Sequence, residues 1–505
     1  MANLQFKNKI LSFALKTRLK KINFFKDNPH AVQERVFKNL IKNGRETIFG
    51  LDHDFKNINS FSDFSNKVPV RTYEEIFPYI ERVRAGEKNI LWNQQTKWFA
   101  KSSGTTNAKS KFIPMTIDSL KKSHYKAGKD MLALYLGNYP TKKFFEGNGL
   151  ILGGSLQNRK NHTDGDLSAI LLDNFPFWVN YHRSPKLSTA LMHDWEEKLE
   201  LIVSEVICQD ITNLSGVPSW MLIILKKVLE RTNSKNILEV WPNLELYMHG
   251  GINFSPYKKQ YENIIPSKQM NYFEIYNASE GIFGLQDKPN SNEMLLMLDH
   301  GIFYEFIKHG DTKNNNNNNA KYYQLGEVEM NQDYSLVITT NGGLWRYLIG
   351  DIISFTSLSP YRIKVSGRIK NHLNVFGEEL ITNNTDKALE IACKKTESNI
   401  NEYTVCPIFL DNNSGGHEWL VEFENHPKDT EKFISILDEE LKKNNSDYEA
   451  KRSYNLVIQK PVLTSLAKGT FYRWLKQNNR LGGQYKIPRL NNDRKIADNL
   501  INLNN

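Results

Sequence analysis

Two hydrophobic rhythms alternate along this chain, and that alternation limits its folds more than any other feature. Apolar residues recur three or four positions apart from Leu191 through Trp195, Leu199, Ile202 and Val206, which predicts one face of a helix. A second buried helix is predicted at Trp220-Met221-Leu222-Ile223-Ile224-Leu225, reaching Val228 and Leu229. Beside these lie short apolar runs of strand character: Gly149 to Leu152, Leu244 to Tyr247, Met294 to Leu298 and Leu336 to Ile338. Helices interleaved with short apolar strands predict an α/β protein whose mixed or parallel sheets are flanked by helices. None of these runs approaches the ~20 apolar residues that span a bilayer. The mean hydropathy of -0.53 excludes a polytopic membrane protein.

A chain of 505 residues has room for about two to four domains. Its texture changes near Ser366-Gly367-Arg368. Beyond that point come an Asn-, Glu- and Lys-rich helical pattern, the strand-like Cys406 to Leu410, a polar helix from Glu431 to Lys443 and the run Leu456 to Gln459. This β-α-β-α-β-like order predicts a small α+β domain over 367–505, set off from a large domain over 1–366. The asparagine tract Asn314 to Asn319 has nothing to bury. It reads as a surface loop on a hairpin between Phe303 to Phe306 and the strand-like Gly326 to Val328. The basic, amphipathic stretch from Asn8 to Lys21 reads as a first helix packed on the large domain, with a transit peptide or a membrane-surface helix as the alternatives.

Lys and Arg number 66 against 56 Asp and Glu, a net charge of +10. That excess invites an anionic partner: nucleic acid, an anionic membrane surface or a phosphate-bearing ligand. The three cysteines, Cys208, Cys393 and Cys406, form neither a C-x-x-C pair nor a zinc spacing. A disulfide scaffold and a structural zinc site are thereby set aside, and a reducing cytoplasm is the expected location.

The strongest local signal is Lys101-Ser102-Ser103-Gly104-Thr105-Thr106-Asn107-Ala108-Lys109-Ser110-Lys111-Phe112-Ile113-Pro114. Gly104 permits a backbone turn closed to other residues. Ser103, Thr105 and Thr106 offer hydroxyls and backbone N–H groups, the makings of an anion-binding nest, and Lys109 and Lys111 add charge. A polyphosphate cradle and a plain lysine-bearing surface hairpin both fit; the Walker A order is absent. Downstream, Tyr272 to Gly284 carries a strand into a small-residue turn bearing Glu280, and a carboxylate beside a triphosphate suits Mg2+. In isolation, however, the favoured reading of Glu280 is a solvated loop glutamate. Gly250 and Gly251 would let backbone approach a flat ligand closely, while His249 beside them reads as a structural histidine. Asp351 follows Gly350 in Arg346-Tyr347-Leu348-Ile349-Gly350-Asp351 and can accept two hydrogen bonds from vicinal hydroxyls, as carboxylates do toward ribose. Arg368 can grip a phosphate bidentately or form a surface ion pair. The tail, Lys468 to Arg489, mixes basic and aromatic residues in a way that suggests base stacking, but no RNP, KH or zinc signature accompanies it.

Taken in series, these motifs resemble one family. Ser102-Ser103-Gly104-Thr105-Thr106 with Lys111 is similar to the phosphate-binding motif of adenylate-forming enzymes. The continuation Lys111-Phe112-Ile113-Pro114 narrows the resemblance to the acyl acid–amido synthetases of the auxin-responsive Gretchen Hagen family. Tyr276-Asn277-Ala278-Ser279-Glu280-Gly281 and Arg346 to Asp351 match its later motifs in order and spacing, and the resemblance spans nearly the whole chain. Departures are Ala108 for glycine, Ala278 for serine, Trp345 for tyrosine and Leu348 for arginine.

The resemblance implies a firefly-luciferase-like adenylating domain, with mixed β-sheets flanked by helices, and a small mobile C-terminal domain. It implies ATP and Mg2+, a small carboxylic acid and an amino acid as ligands, and no nucleic-acid or membrane partner. Ser102, Ser103, Gly104, Thr105 and Thr106 would hold phosphate; Tyr276, Asn277, Ala278 and Ser279 the nucleotide; Gly250 and Gly251 the adenine; Asp351 the ribose. Glu280 would bind the metal, Arg368 would lie at the hinge, and Lys111 and Lys486 would join Glu280 in catalysis. Phe175 to Trp220 would help line the acyl pocket. A monomer is expected. Two other readings stay open on the sequence: an adenylating ligase with coenzyme A or another thiol as acceptor, and a non-catalytic basic module that binds nucleic acid or a membrane.

Overall fold

The four apolar runs of the large domain become strands of one large sheet, each separated from the next by other strands. A computed structural model of the chain describes residues 15, 17–102, 111–139, 144, 146–175, 179–252, 254–309, 321–368, 372–373, 375–376, 378, 380–409, 415–452, 458–482 and 486–504. The 11-stranded sheet runs in the order Ile302–Lys308, Asp333–Thr340, Tyr347–Leu358, Tyr361–Arg368, Met294–Leu296, Gly281–Leu285, Asn271–Ala278, Leu246–Gly250, Ile211–Gly216, Asn148–Ile151, Arg183–Ser184. Pairing is antiparallel from the first of these to Asn271–Ala278 and parallel from there to the last.

Parallel neighbours need crossover connections. Here the helices Trp195–Val206, Pro218–Thr232 and Ser255–Ile264 supply them. Their apolar faces, with Ile202, Val206, Met221, Leu225 and Tyr261, close on Leu150, Leu214 and Tyr247 beneath the sheet. The first of these helices starts at Trp195 rather than Leu191, because the Asp194 side chain accepts from the Glu197 amide at 2.8 Å and caps it there. A smaller sheet, Lys111–Met115, Trp98–Ser102, Thr163–Gly165, Leu156–Asn158, pairs the strands on either side of residues 103–110. The residues that the asparagine tract occupies lie outside those described. Leu325–Glu327 forms a 3-10 turn rather than the expected strand, and Ile302–Lys308 pairs instead with Asp333–Thr340.

The C-terminal part folds on its own three-stranded sheet, Asn399–Phe409, Gly415–Asn425, Val462–Leu466, with the helices Thr382–Lys395 and Thr430–Asn444. The antiparallel pairing of Asn399–Phe409 with Gly415–Asn425 was not expected from the sequence order. The run Leu456 to Gln459 lies partly outside the described residues; the third strand is Val462–Leu466. Cys406, Leu420, Leu466, Phe471, Trp474 and Ile487 of this part share one core with Trp195, Trp220 and Met221. At the other end of the chain, helix 17–27 buries Ile22 and Phe25 and sets Arg18 between Asp130 and Asp299. The molecule is thus a mixed α/β protein with a large N-terminal and a smaller C-terminal domain. All three cysteines are free. Among the described residues no helix is long and apolar enough to cross a membrane.

Candidate active site

Asn271–Ala278 is the seam of the large sheet, antiparallel to one neighbour and parallel to the other. The carboxyl ends of the parallel strands open there, where α/β sheets bind ligands. A cleft of about 2590 Å³ occupies the place. Ser102, Lys111, Gly250, Gly251, Tyr276, Asn277, Ala278, Ser279, Glu280, Asp351 and Lys486 all line it. The structure therefore gathers most of the expected residues into one site. Ser103, Gly104, Thr105 and Thr106 lie outside the described residues, although Ser102 and Lys111 face each other across the hairpin on either side of them. Arg368 has only its backbone described; it stands directly opposite Asp351 in the antiparallel ladder.

The groups lining this end of the cleft are held from several directions. Tyr276 Oη donates to Asp351 Oδ2 at 2.6 Å in a buried contact, which fixes the carboxylate. Glu280 sits in the two-residue turn between Asn271–Ala278 and Gly281–Leu285 and is 8% exposed. Burial, reinforced by the Glu280 charge, raises the Tyr347 phenol well above its ordinary pKa and keeps it protonated. Lys111 Nζ donates to Tyr347 Oη at 3.4 Å and lies over the Tyr73 ring, 5.4 Å from its centroid. Tyr73 and Tyr347 were not singled out from the sequence: Tyr73 stands in no motif, and within Arg346 to Asp351 the reading rested on Asp351.

Gly250 is required by close approach: a Cβ there would stand 2.2 Å from the Ile275 carbonyl oxygen and 2.8 Å from Asn277 Oδ1. Gly251 has φ +86, in the left-handed region, and its carbonyl accepts from Lys486 Nζ at 2.5 Å. The C-terminal tail thus reaches the glycine loop directly. His249 stacks on Phe254 with ring centroids 4.2 Å apart, and burial lowers its pKa to about 3, so it is a neutral packing residue.

Arg346 belongs to the same motif as Asp351 but points elsewhere. It is buried against Glu305, with Nη2 to Oε1 at 2.7 Å, and also donates to the Val68 carbonyl at 2.7 Å. Trp345 beside it donates to the Leu91 carbonyl at 3.0 Å and is fully buried. The departure at Trp345 therefore falls in the core. Of the expected acyl-pocket stretch, Phe175, Arg183, Ser215 and Val217 face the cleft, whereas Leu214 and Trp220 lie in the core beneath the sheet.

Comparison with known proteins agrees with this geometry. Residues 18–270 match the GH3 family N-terminal domain, 295–368 the GH3 family central domain and 383–495 the GH3 family C-terminal domain. The chain is 22% identical over 455 residues to "Indole-3-acetic acid-amido synthetase GH3.4" of Arabidopsis thaliana, covering 75% of this chain and 74% of that one. It is 23% identical to "Jasmonoyl--L-amino acid synthetase JAR6" of Nicotiana attenuata, covering 91% of this chain and 90% of that one. Among solved structures, a "GH3.15 acyl acid amido synthetase" superposes with a TM-score of 0.79 at 17% identity, covering 96% of this chain and 95% of that chain. A 2-hydroxyisobutyryl-CoA ligase holding its acyl-adenylate superposes with a TM-score of 0.59 at 13% identity, covering 94% and 91%. With its three segments matched in order and the site residues converging on one cleft, this chain belongs to the GH3 family.

Proposed function

We propose that the protein is an ATP-dependent acyl acid–amido synthetase that adenylates a carboxylic acid and passes the acyl group to an amino acid. One observation carries this reading: Lys111, Glu280, the Tyr276–Asp351 pair and the Gly250–Gly251 loop touched by Lys486 line a single cleft. The names of the relatives, an acid-amido synthetase and a jasmonoyl–L-amino acid synthetase, support it. In the first half-reaction a carboxylate oxygen of the acid attacks the α-phosphorus of ATP. The bond to pyrophosphate breaks, giving acyl-AMP. In the second, the acceptor's amine attacks the acyl carbon, the carbon–oxygen bond to AMP breaks, and the amine's proton leaves to solvent.

Catalysis of the first step is positioning and charge neutralisation. Asp351, held by Tyr276, accepts from the ribose hydroxyls. Gly250 and Gly251 leave a slot for adenine, bordered by Asn277, Ala278 and Ser279. Lys111 and Lys486 bring positive charge to the phosphates, with Arg368 at the hinge between a large domain over 1–366 and a small one over 367–505. Magnesium fits one buried ligand here: Glu280 would offer a hard carboxylate oxygen within the cleft. When bound, that ion would screen the phosphate charge. The test is acid-dependent exchange of pyrophosphate into ATP, followed by a screen of amino acids for amide product. Failure of every carboxylic acid to support exchange would refute the reading. Exchange that leads to thioester with coenzyme A but never to amide would refute its second half.

A further inference from the structure

The cleft does not end at the nucleotide groups. It continues along the parallel half of the sheet, under the helices Tyr125–Asn138 and Leu167–Asp173. This arm is where a synthetase of the kind proposed would seat its acyl acid. Much of the wall is apolar, with Met131, Leu132, Leu171 and Leu172. Arg183 interrupts it at the far edge strand.

Register settles where Arg183 points. It stands beside Gly149, and Ser184 stands beside Leu150. Leu150 belongs to the core beneath the sheet. Side chains alternate between faces, so Arg183 and Gly149 share the face that looks into the cleft. Asn213, the partner of Gly149 on its other side, lies there too: its Oδ1 would be 2.6 Å from a Cβ on Gly149. The floor of this end is therefore a glycine, an amide and a guanidinium.

Arg183 is 7% exposed. Its Nη1 donates to the Pro185 carbonyl at 2.6 Å and its Nε to Asn180 Oδ1 at 2.9 Å. Among the described residues no carboxylate is ion-paired with it. Glu205 acts on it only from a distance, and that carboxylate is already taken by the Lys186 amide at 2.8 Å and the Thr189 hydroxyl at 2.5 Å. Burial pulls the guanidinium's pKa down, as expected of a cation sheltered from water without a paired charge. A buried charge of this kind is costly unless something pairs with it, and a guanidinium fork matches a carboxylate bidentately.

We propose, resting on the synthetase reading of the same cleft, that Arg183, with Asn213, reads a second carboxylate at the far end of the acyl acid, so that extended dicarboxylic acids are preferred over monocarboxylic ones. Four strand steps separate the strand of Tyr276 from that of Arg183. At ~4.8 Å per step that is roughly 19 Å, shortened by the reach of the arginine itself. A diacid as short as malonate cannot bridge it.

Pyrophosphate exchange with matched acid pairs tests this: suberate against octanoate, and 4-(4-carboxyphenyl)butanoate against 4-phenylbutanoate. The diacid of each pair should have a kcat/KM about 10- to 100-fold higher, the difference lying in KM. Arg183→Met should bring that ratio toward one, and Arg183→Lys should keep part of it, with unfolding temperatures measured alongside. If Arg183→Met does not fold, the ratio in Arg183→Lys and Asn213→Ala decides. A wild-type enzyme that prefers the monoacids, or variants that leave the ratio unchanged, would overturn the proposal and leave the synthetase reading standing. Failure of every acid, mono- or dicarboxylic, to support exchange would overturn both.

Discussion

The contact between Tyr276 and Asp351 is the shortest route from a single side chain to activity. In the proposed role Asp351 presents its carboxylate to two ribose hydroxyls at once, and the 2.6 Å hydrogen bond from Tyr276 sets its angle. Removing the phenol hydroxyl should loosen the carboxylate without removing it. Tyr276→Phe is expected to raise KM for ATP about 3- to 10-fold, while Asp351→Ala should lower exchange by on the order of 100-fold or more. Equal effects from the two would contradict the positioning role. Buried histidines set a second residue-scale expectation. Burial pulls His249 and His124 down to about 3, against ~6.5 for a free histidine. Between those values the unfolded chain takes up protons that the folded chain refuses. Stability from this source is complete above ~6.5 and declines as the pH falls toward 3. Each histidine should contribute up to about 1.4 kcal/mol per pH unit inside that window, read by urea unfolding. His249→Phe should flatten the slope, and an unchanged slope would sink the assignment.

At the scale of elements, the pair Arg346–Glu305 ties three pieces together. Glu305 belongs to the strand Ile302–Lys308, Arg346 leads into Tyr347–Leu358, and its Nη1 reaches back to the Ser65 and Val68 carbonyls. Both side chains are almost fully buried. Leaving either charge alone should therefore be severe: Arg346→Met is expected to lose about 3–5 kcal/mol of unfolding free energy. Replacing both partners with apolar residues, Arg346→Met with Glu305→Leu, should recover part of that loss. A double variant no better than the single one would mean that the carbonyl contacts, and not the ion pair, hold the element.

For the whole molecule, the decisive contact joins chain segments far apart in sequence. Lys486 stands 235 positions from the Gly251 carbonyl it meets. It is exposed, so its loss should leave stability within about 0.5 kcal/mol. If Lys486 has the proposed role, Lys486→Ala should nevertheless depress pyrophosphate exchange strongly, because a charge directed at the phosphates is then lost at the rim of the cleft. Normal exchange with a lowered unfolding temperature would instead assign the lysine to packing. The apolar core that Phe471, Trp474 and Ile487 share with Trp195 and Trp220 keeps this tail beside the cleft.

Local chemistry was legible in the order of the amino acids. Gly250 and Gly251, Asp351 and Lys111 could be picked out because turn geometry and donor type are written within a few residues of one another, whereas Glu280 stood out only through the family motif around it. The α/β class was legible for the same reason, since the two hydrophobic periods are short-range signals. Which of those residues meet was settled only in the folded molecule. Tyr276 and Asp351 are 75 positions apart and become partners through the order of strands in the sheet. Arg346, in the same motif as Asp351, turns the other way, into a buried ion pair that no local pattern announces. The pairing of Asn399–Phe409 with Gly415–Asn425 depended on which strand covers which. The direction of Arg183 depended on its register with Gly149. Register and strand order arise from long-range burial, in which each apolar face chooses among many distant partners, so they are properties of the assembled sheet and not of any segment within it.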